Sequence, residues 1–412
     1  MKADRLGFWL WPAWQKIWFS ILILGFFIIG AQFSFSNGNK EFARVDGTTE
    51  QLILFASDNY VKEGFTKYYL LPLSPPFGFD GEGNQRTEPF VYTHYFPGPY
   101  WVMGVLKKFF GQNGVWLTRL VPLAMNVGGL AILCIEFASF TGSALIGLLL
   151  LSAILTARSV TIFSISFAGH GYVMGMLLIL IGILFRLANR ARDGFPISKV
   201  AVFLWSVYVG FFQIWFSIDF LPLTFLMAVS FIFYIEKFPK EVAWRILLGL
   251  FVGGCLGFVL QISLFAMHLG SLQAVIEDFT KWGSWRMGMH TGDFGKAVQV
   301  EDTRLFTVLR EYNKQAYGAT GFTAYNLLIL NAVFIFMGYF GKAVSKLQTK
   351  RLLLGLLFAY LSAIAWNVLM RQHSLIHIHF IPRHYYALFF YFLITVIPLS
   401  FAITRRSAQL TD

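Results

Sequence analysis

Long apolar stretches alternate with short polar ones along most of the chain. A helix needs about 20 mainly apolar residues to cross the hydrocarbon core of a bilayer, and ten stretches reach or approach that length. Their predicted bounds are 16–36, 115–137, 142–157, 171–188, 200–218, 220–236, 246–268, 323–341, 352–370 and 384–403. The pattern predicts an all-α polytopic membrane protein with about ten spans, in which residues 1–412 form a single transmembrane domain.

The distribution of basic residues indicates the orientation of these spans. Lys and Arg cluster near the N-terminus and in every second connection. They are Lys2, Arg5, Lys16, Arg186, Arg190, Arg192, Lys199, Lys237, Lys240, Arg245, Lys342, Lys346, Lys350, Arg351, Arg405 and Arg406. Because cytoplasmic loops are enriched in Lys and Arg, we expect both termini in the cytoplasm. The expected location is the plasma (inner) membrane of a bacterium.

Two long polar segments, 37–114 and 269–322, fall on the external side of this topology. Residues 47–63 predict a helix at the membrane interface, capped by Asp46 and ended by Gly64. All eight histidines fall on or near the same side: His94, His170, His268, His290, His373, His377, His379 and His384. Long loops hold more polar residues in any case, but the pattern favours a site for proton transfer or phosphate binding on the external face.

The composition excludes several classes of protein. A chain that is 57% hydrophobic and 13% charged is not a soluble domain. The net charge of +12 is explained by cytoplasmic loops that meet anionic lipid headgroups, so we expect no nucleic-acid partner. The sequence has no Gly-rich phosphate loop before a helix, no GxSxG and no HExxH.

An ordered series of motifs begins in the first long loop. In chain order it comprises Asp46-Gly47, Gly64-Phe65, Pro72, the Pro-aromatic stretch 92–101, Phe110-Gly111 and Arg119. In this order and spacing the chain resembles the GT-C superfamily of membrane glycosyltransferases, above all the branch of protein O-mannosyltransferases and the aminoarabinose transferase. The resemblance implies a GT-C-like fold and an inverting transfer of a sugar from a polyprenyl-phosphate donor. The acceptor would be a glycan, a lipid or a protein on the external face.

The resemblance also implies a catalytic base in the first loop. Such a base must lie within hydrogen-bond reach of the acceptor hydroxyl. Asp46 is the first candidate; Gly47 stands where the family usually has Glu, so Asp58 is the second. The structural alternatives are that Asp46 only caps the helix and that Asp58 lies on its solvated face.

A histidine-rich stretch, residues 371–384, precedes the last span. Arg383, His384 and His379 are predicted to hold the donor phosphate by charge-assisted hydrogen bonds. The alternatives are an interfacial belt facing lipid headgroups and a divalent cation bound by His377 and His379. No Cys, Asp or Glu lies nearby to complete a zinc site, so we expect no cofactor.

Three further residues complete the predicted substrate-binding set. His94 and Tyr92 lie in the Pro-aromatic stretch, where an imidazole could bind phosphate or orient the acid. Arg286 lies among tryptophans in the second long loop. Ordinary packing for His94 and a solvated amphipathic loop for Arg286 are the alternatives.

Two rival functions belong to other classes. A transporter or flippase for a lipid-linked or anionic solute would need charged or broken helices at the bilayer midplane. A scaffold subunit of a glycan-assembly complex would have the same fold without activity. Such a scaffold should tolerate substitution of Asp46, whereas an enzyme should not.

Overall fold

The computed structural model describes residues 8–37, 47–76, 87–91, 96–287, 304–314, 323–371, 375 and 386–411. Most of these residues lie in α-helices. The helices are α1 (Ala13–Ser36), α2 (Gly47–Glu63), α3 (Gly98–Phe110), α4 (Asn113–Thr141), α5 (Ala144–Leu155), α6 (Arg158–Ser164), α7 (Gly169–Arg192), α8 (Lys199–Phe216), α9 (Phe220–Tyr234), α10 (Lys240–Leu269), α11 (Leu272–Met287), α12 (Leu305–Lys314), α13 (Ala324–Phe340), α14 (Lys346–Leu369) and α15 (Tyr386–Thr411). A 3₁₀ turn (Phe8–Leu10) precedes α1, and β1 (Leu73–Ser74) pairs antiparallel with β2 (Phe90–Val91).

Helices occur at all ten predicted spans. Among the described residues, seven are long and apolar enough to cross a membrane, namely α1, α4, α7, α8, α10, α14 and α15. The other three, α5, α9 and α13, have 12, 15 and 17 residues. At about 1.5 Å per residue each is shorter than a hydrocarbon core of about 30 Å. The predicted helical architecture, with several helices long and apolar enough to cross a membrane, is confirmed, whereas the number of ten spans stays a prediction.

Two helix pairs, α4 with α7 and α8 with α10, form the most extensive helix contacts in the described residues. Both depend on glycine. A Cβ atom at Gly129 of α4 would lie 2.9 Å from the Gly175 carbonyl oxygen, and one at Gly249 of α10 would lie 2.7 Å from the Phe203 carbonyl oxygen. Small residues let helix backbones approach closely where lipid provides no hydrophobic drive for association.

The helices alternate in direction, so the bundle has two ends. One end holds the first residues of α4, α7, α9 and α15, and α2 and α3 pack there; we call it the loop-1 end. The other holds the connections 193–198, 235–239 and 341–345, in and around which the predicted cytoplasmic Lys and Arg residues lie; we call it the basic end. Which end faces the cytoplasm stays a prediction.

The first polar segment folds against the bundle. Its helix α2 has the predicted bounds and is followed by Gly64 with φ of +90°, a conformation that glycine adopts without strain. The Tyr60 hydroxyl and the Trp101 Nε1 both donate to the Leu70 carbonyl, at 2.9 and 2.8 Å. Burial raises the pKa of the Tyr60 phenol well above its usual range, so it stays a hydrogen-bond donor. The chain after α2 is thereby tied to α3.

Three helices within the two predicted loops were not foreseen as helices. They are α3 in the first segment and α11 and α12 in the second. Helix α3 begins with Pro99 in its first turn and ends with Lys107 and Lys108, which suit a helix N-terminus and C-terminus respectively. Its start is rich in aromatic residues and proline, which also suit a turn.

Candidate functional site

A buried ion pair lies at the centre of the loop-1 end. The Arg119 guanidinium of α4 donates from Nη1 and Nη2 to the two carboxylate oxygens of Glu50 in α2, each at 3.1 Å. Both side chains are fully buried. The planar guanidinium matches a carboxylate in this two-bond geometry. The pair therefore fixes the first turn of α2 against the start of α4.

The turn between α6 and α7 completes the cluster around this pair. The Ser166 hydroxyl donates to Glu50 Oε1 at 2.9 Å and accepts from the Ala168 N–H at 3.2 Å. Arg119 Nη1 also donates to the Ile165 carbonyl at 3.3 Å, and its guanidinium lies 4.1 Å from the centre of the Phe167 ring. These contacts offset part of the cost of removing the two charges from water. Both Glu50 oxygens accept hydrogen bonds, so the carboxylate anchors the first turn of α2 to α4 and to the turn before α7.

Arg119 was predicted from the sequence, whereas Glu50 and Ser166 were not. A signal for Glu50 was present in the helix pattern. Leu52, Ile53, Ala56 and Tyr60 form the buried stripe of α2, and Glu50 precedes Ile53 by three positions on the same face. An acid on an apolar stripe needs a buried cationic partner. Nothing in the pattern around Ser166 distinguishes it from a residue in any tight turn.

Other polar groups lie at this end, among them His170, one of the histidines predicted on the external side. The His170 ring in the first turn of α7 stacks on Phe220 at 6.3 Å between ring centres, and Phe220 follows the buried Asp219. The Ser217 hydroxyl donates to Asp219. Phe163, 6.1 Å from the His170 ring, also lies 5.8 Å from Tyr386. Tyr386 is the first residue of α15, and in the sequence it follows the histidine-rich stretch after one intervening residue.

Asp58, the second candidate base, lies about two turns along α2 from Glu50 and in a different setting. Its Oδ1 accepts from the Lys107 ammonium of α3 at 2.5 Å. The carboxylate is 64% exposed, whereas the lysine side chain is 5% exposed. Lys107 also donates to the Ser57 hydroxyl at 3.2 Å. Asp58 therefore neutralises a buried ammonium, which is a structural task.

Most of the predicted site residues lie outside the described residues. These are Asp46, Tyr92, His94, His379, Arg383 and His384. Asp46 directly precedes α2, whose first turn holds Glu50. Arg286 is described: it lies in the last turn of α11, a helix that packs on α10.

A metal centre has no support from the described part of the chain, where no group of three or more His, Cys, Asp or Glu side chains could hold an ion. Cys134 is buried and Cys255 is exposed, and neither forms a disulfide. The alternative cation site at His377 and His379 lies outside the described residues.

Comparison with known proteins gives no relative. No family model, no curated protein and no solved structure matches the chain.

Proposed function

We propose that this protein is an integral membrane glycosyltransferase that uses a polyprenyl-phosphate sugar at its loop-1 end. The acceptor would be a glycan, a lipid or a protein, and the loop-1 end would face the extracytoplasmic side. The observation that carries the proposal is the buried contact of Glu50 with Arg119 and Ser166. It holds the first turn of α2 against α4 and the turn between α6 and α7, directly after the acid that the motif series marks as the base.

The cluster leaves Asp46 as the best candidate for that base. Glu50 is fully engaged, and Asp58 is bound to a buried lysine about three turns away from the N-terminus of α2. The sequence neighbours of Asp46 on its C-terminal side are held where His170, Asp219 and Tyr386 also lie. A base next to this cluster would have buried aromatic and polar groups on one side and the membrane surface on the other.

The proposed reaction is a single displacement at the anomeric carbon. Asp46 accepts the proton of the acceptor hydroxyl while the oxygen attacks. The bond between the anomeric carbon and the phosphate oxygen breaks, and polyprenyl phosphate leaves with that electron pair. Arg383, His384 and His379 are proposed to stabilise the leaving phosphate. His94, Tyr92 and Arg286 are proposed to bind the donor.

The test is transfer by purified protein with a panel of polyprenyl-phosphate sugars, read as release of free polyprenyl phosphate. We expect Asp46→Asn to lower the rate by roughly 10²-fold or more, the range that general-base catalysis provides. The matched control is Glu63→Gln, which removes an acid from the last turn of the same helix and should leave the rate unchanged.

Two outcomes would count against the assignment. Activity that survives Asp46→Asn but disappears in Asp58→Asn would move the base to Asp58. A wild-type protein that releases no lipid phosphate from any donor in the panel would contradict the proposed reaction and favour a scaffold.

A further inference from the structure

A polar pocket lies at the basic end, far along α4 and α7 from the Glu50 cluster. Its volume is about 200 Å³, and α4 and α7 line it with Glu136, Ser139, Arg186, Asn189, Arg190 and Asp193. A single water needs roughly 10–15 Å³ of such volume, so the pocket has room for a larger polar group. Nothing in the proposed transfer reaction uses it. We call it the Glu136 pocket.

The amide of Asn189 indicates which chemical groups a ligand of this pocket would carry. Its Nδ2 donates to the Glu136 backbone carbonyl at 3.0 Å and to Glu136 Oε2 at 3.2 Å. These two acceptors fix which end of the amide is which. Its Oδ1 is buried and has no hydrogen-bond partner among the described residues. Because a buried acceptor is costly without a donor, the pocket calls for a ligand that carries N–H or O–H groups.

Charges are arranged from the inside of the pocket outwards. The Glu136 side chain is 20% exposed, and Arg186, 3.9 Å from it, is 56% exposed. Arg190 adds a second guanidinium to the pocket lining, and it donates to the Pro196 carbonyl and lies near the Phe195 ring. Asp193 adds a carboxylate that lies 3.5 Å from Arg192. Acceptors and negative charge therefore lie deeper than the guanidinium of Arg186.

We infer that the Glu136 pocket binds a primary ammonium joined to a phosphate, the chemistry of an ethanolamine phospholipid headgroup. The ammonium donates to Asn189 Oδ1 and to the Glu136 carboxylate. The phosphate lies against Arg186 and Arg190 at the opening, where guanidinium and phosphate form charge-assisted hydrogen bonds. A quaternary choline headgroup has no N–H groups and leaves Asn189 Oδ1 without a donor.

The pocket lies where two helices that are able to cross a membrane end. These helices are α4 and α7, and the pocket is at the basic end of the bundle. Arginines at helix ends reach the headgroup layer. The same ammonium–phosphate chemistry is present in free glycerophosphoethanolamine, so the experiment must separate a lipid from its soluble headgroup.

The test uses the full chain, delipidated in detergent, with native mass spectrometry as the readout. Phosphatidylethanolamine and phosphatidylcholine with identical acyl chains compete for the protein. We expect ethanolamine lipid to be favoured about tenfold, since a hydrogen bond to a charged group changes affinity by roughly that factor. Glu136→Gln should bring the ratio close to one. Arg186→Gln should weaken binding of both lipids.

Controls separate the pocket from the surrounding membrane surface. Glu241→Gln removes an exposed carboxylate near the same end, where it pairs with Lys199, and should leave the ratio unchanged. Asn189→Leu is a second variant that removes the buried acceptor at similar volume and should also abolish the preference. Melting temperatures show whether each variant is folded.

Competition by the soluble headgroup and comparison of the two lipids distinguish the possible results. Competition by glycerophosphoethanolamine would show that the headgroup alone is bound, and its absence alongside ethanolamine-lipid preference would show that the acyl chains are required. Equal retention of the two lipids by the wild type would overturn the inference, because the protein would then not distinguish a primary ammonium from a quaternary one. A preference that persists in both Glu136→Gln and Asn189→Leu would overturn it as well.

Discussion

The two ends of the bundle treat charge in opposite ways. At the loop-1 end Glu50 and Arg119 are fully removed from solvent and joined by two hydrogen bonds. At the basic end Arg192 lies at the surface, where it donates to the Ser139 and Phe140 carbonyls at the C-terminus of α4. At the loop-1 end a buried ion pair holds α2 against α4. At the basic end an exposed arginine caps the C-terminal carbonyls of α4.

The buried Glu50–Arg119 pair and the exposed Arg192 contribute to stability through different free-energy terms. A buried ion pair costs several kcal/mol per ion in lost hydration, which its attraction and hydrogen bonds offset. The intact pair therefore adds little to the free energy of unfolding. Removing one partner is costly, because the other charge is then buried without hydration and without a counter-charge. An exposed arginine at a helix C-terminus contributes about 0.3–1 kcal/mol through the helix dipole and carbonyl contacts. Removing it leaves those carbonyls open to water.

The largest effect is expected from breaking the buried pair. Arg119→Met leaves the Glu50 carboxylate without its cation and should lower the free energy of unfolding by about 3–5 kcal/mol. Unfolding in mixed micelles measures this. The double variant Glu50→Leu with Arg119→Met should recover most of the loss, because neither charge then remains buried. If the double variant were as unstable as Arg119→Met, the unpaired Glu50 carboxylate would not be the cause of the loss in stability.

A smaller and asymmetric effect is expected at the second ion pair of the loop-1 end. Asp58→Asn leaves the buried Lys107 ammonium with the Ser57 hydroxyl and a neutral amide, and should cost about 1–3 kcal/mol. Lys107→Met leaves only an exposed carboxylate, so its cost should be lower. The same unfolding measurement compares them. If both variants lost the same free energy of unfolding, the difference in exposure between Asp58 and Lys107 would not explain their contributions to stability.

The smallest effect is expected at the basic end. Arg192→Gln should lower the free energy of unfolding by about 0.3–1 kcal/mol, and added salt should reduce the difference because exposed charges are screened. Arg192→Lys, which keeps the charge, is the matched control. A loss as large as that of Arg119→Met would contradict the contrast between the two ends.

Most helices of this chain were predictable from its sequence because continuous apolar stretches of about 20 residues specify them. The start of α2 at Gly47 and its end before Gly64 followed from local signals, and helices occupy all ten apolar stretches. Helix α3 was not predicted, because its prolines and aromatics also suit a turn. Local rules do not tell whether such a segment continues as a helix.

The candidate site was predictable only in part. The motif order singled out Arg119, but its partner is 69 residues away in the chain, and no local pattern links the two. Ser166 is further still from Glu50. The Glu136 pocket could not be predicted for the same reason. Asn189 and Glu136 belong to different helices, and only the packing of α4 against α7 determines that their side chains meet.

The contact between Ser166 and Glu50 has a consequence for biosynthesis. These residues are 116 positions apart, and chains emerge from the ribosome N-terminus first. The first loop is made, and its acid exposed, well before the segment that completes its anchor has been inserted. Assembly of this face must therefore wait until the chain has grown past residue 166, because a shorter nascent chain lacks the hydroxyl that donates to Glu50.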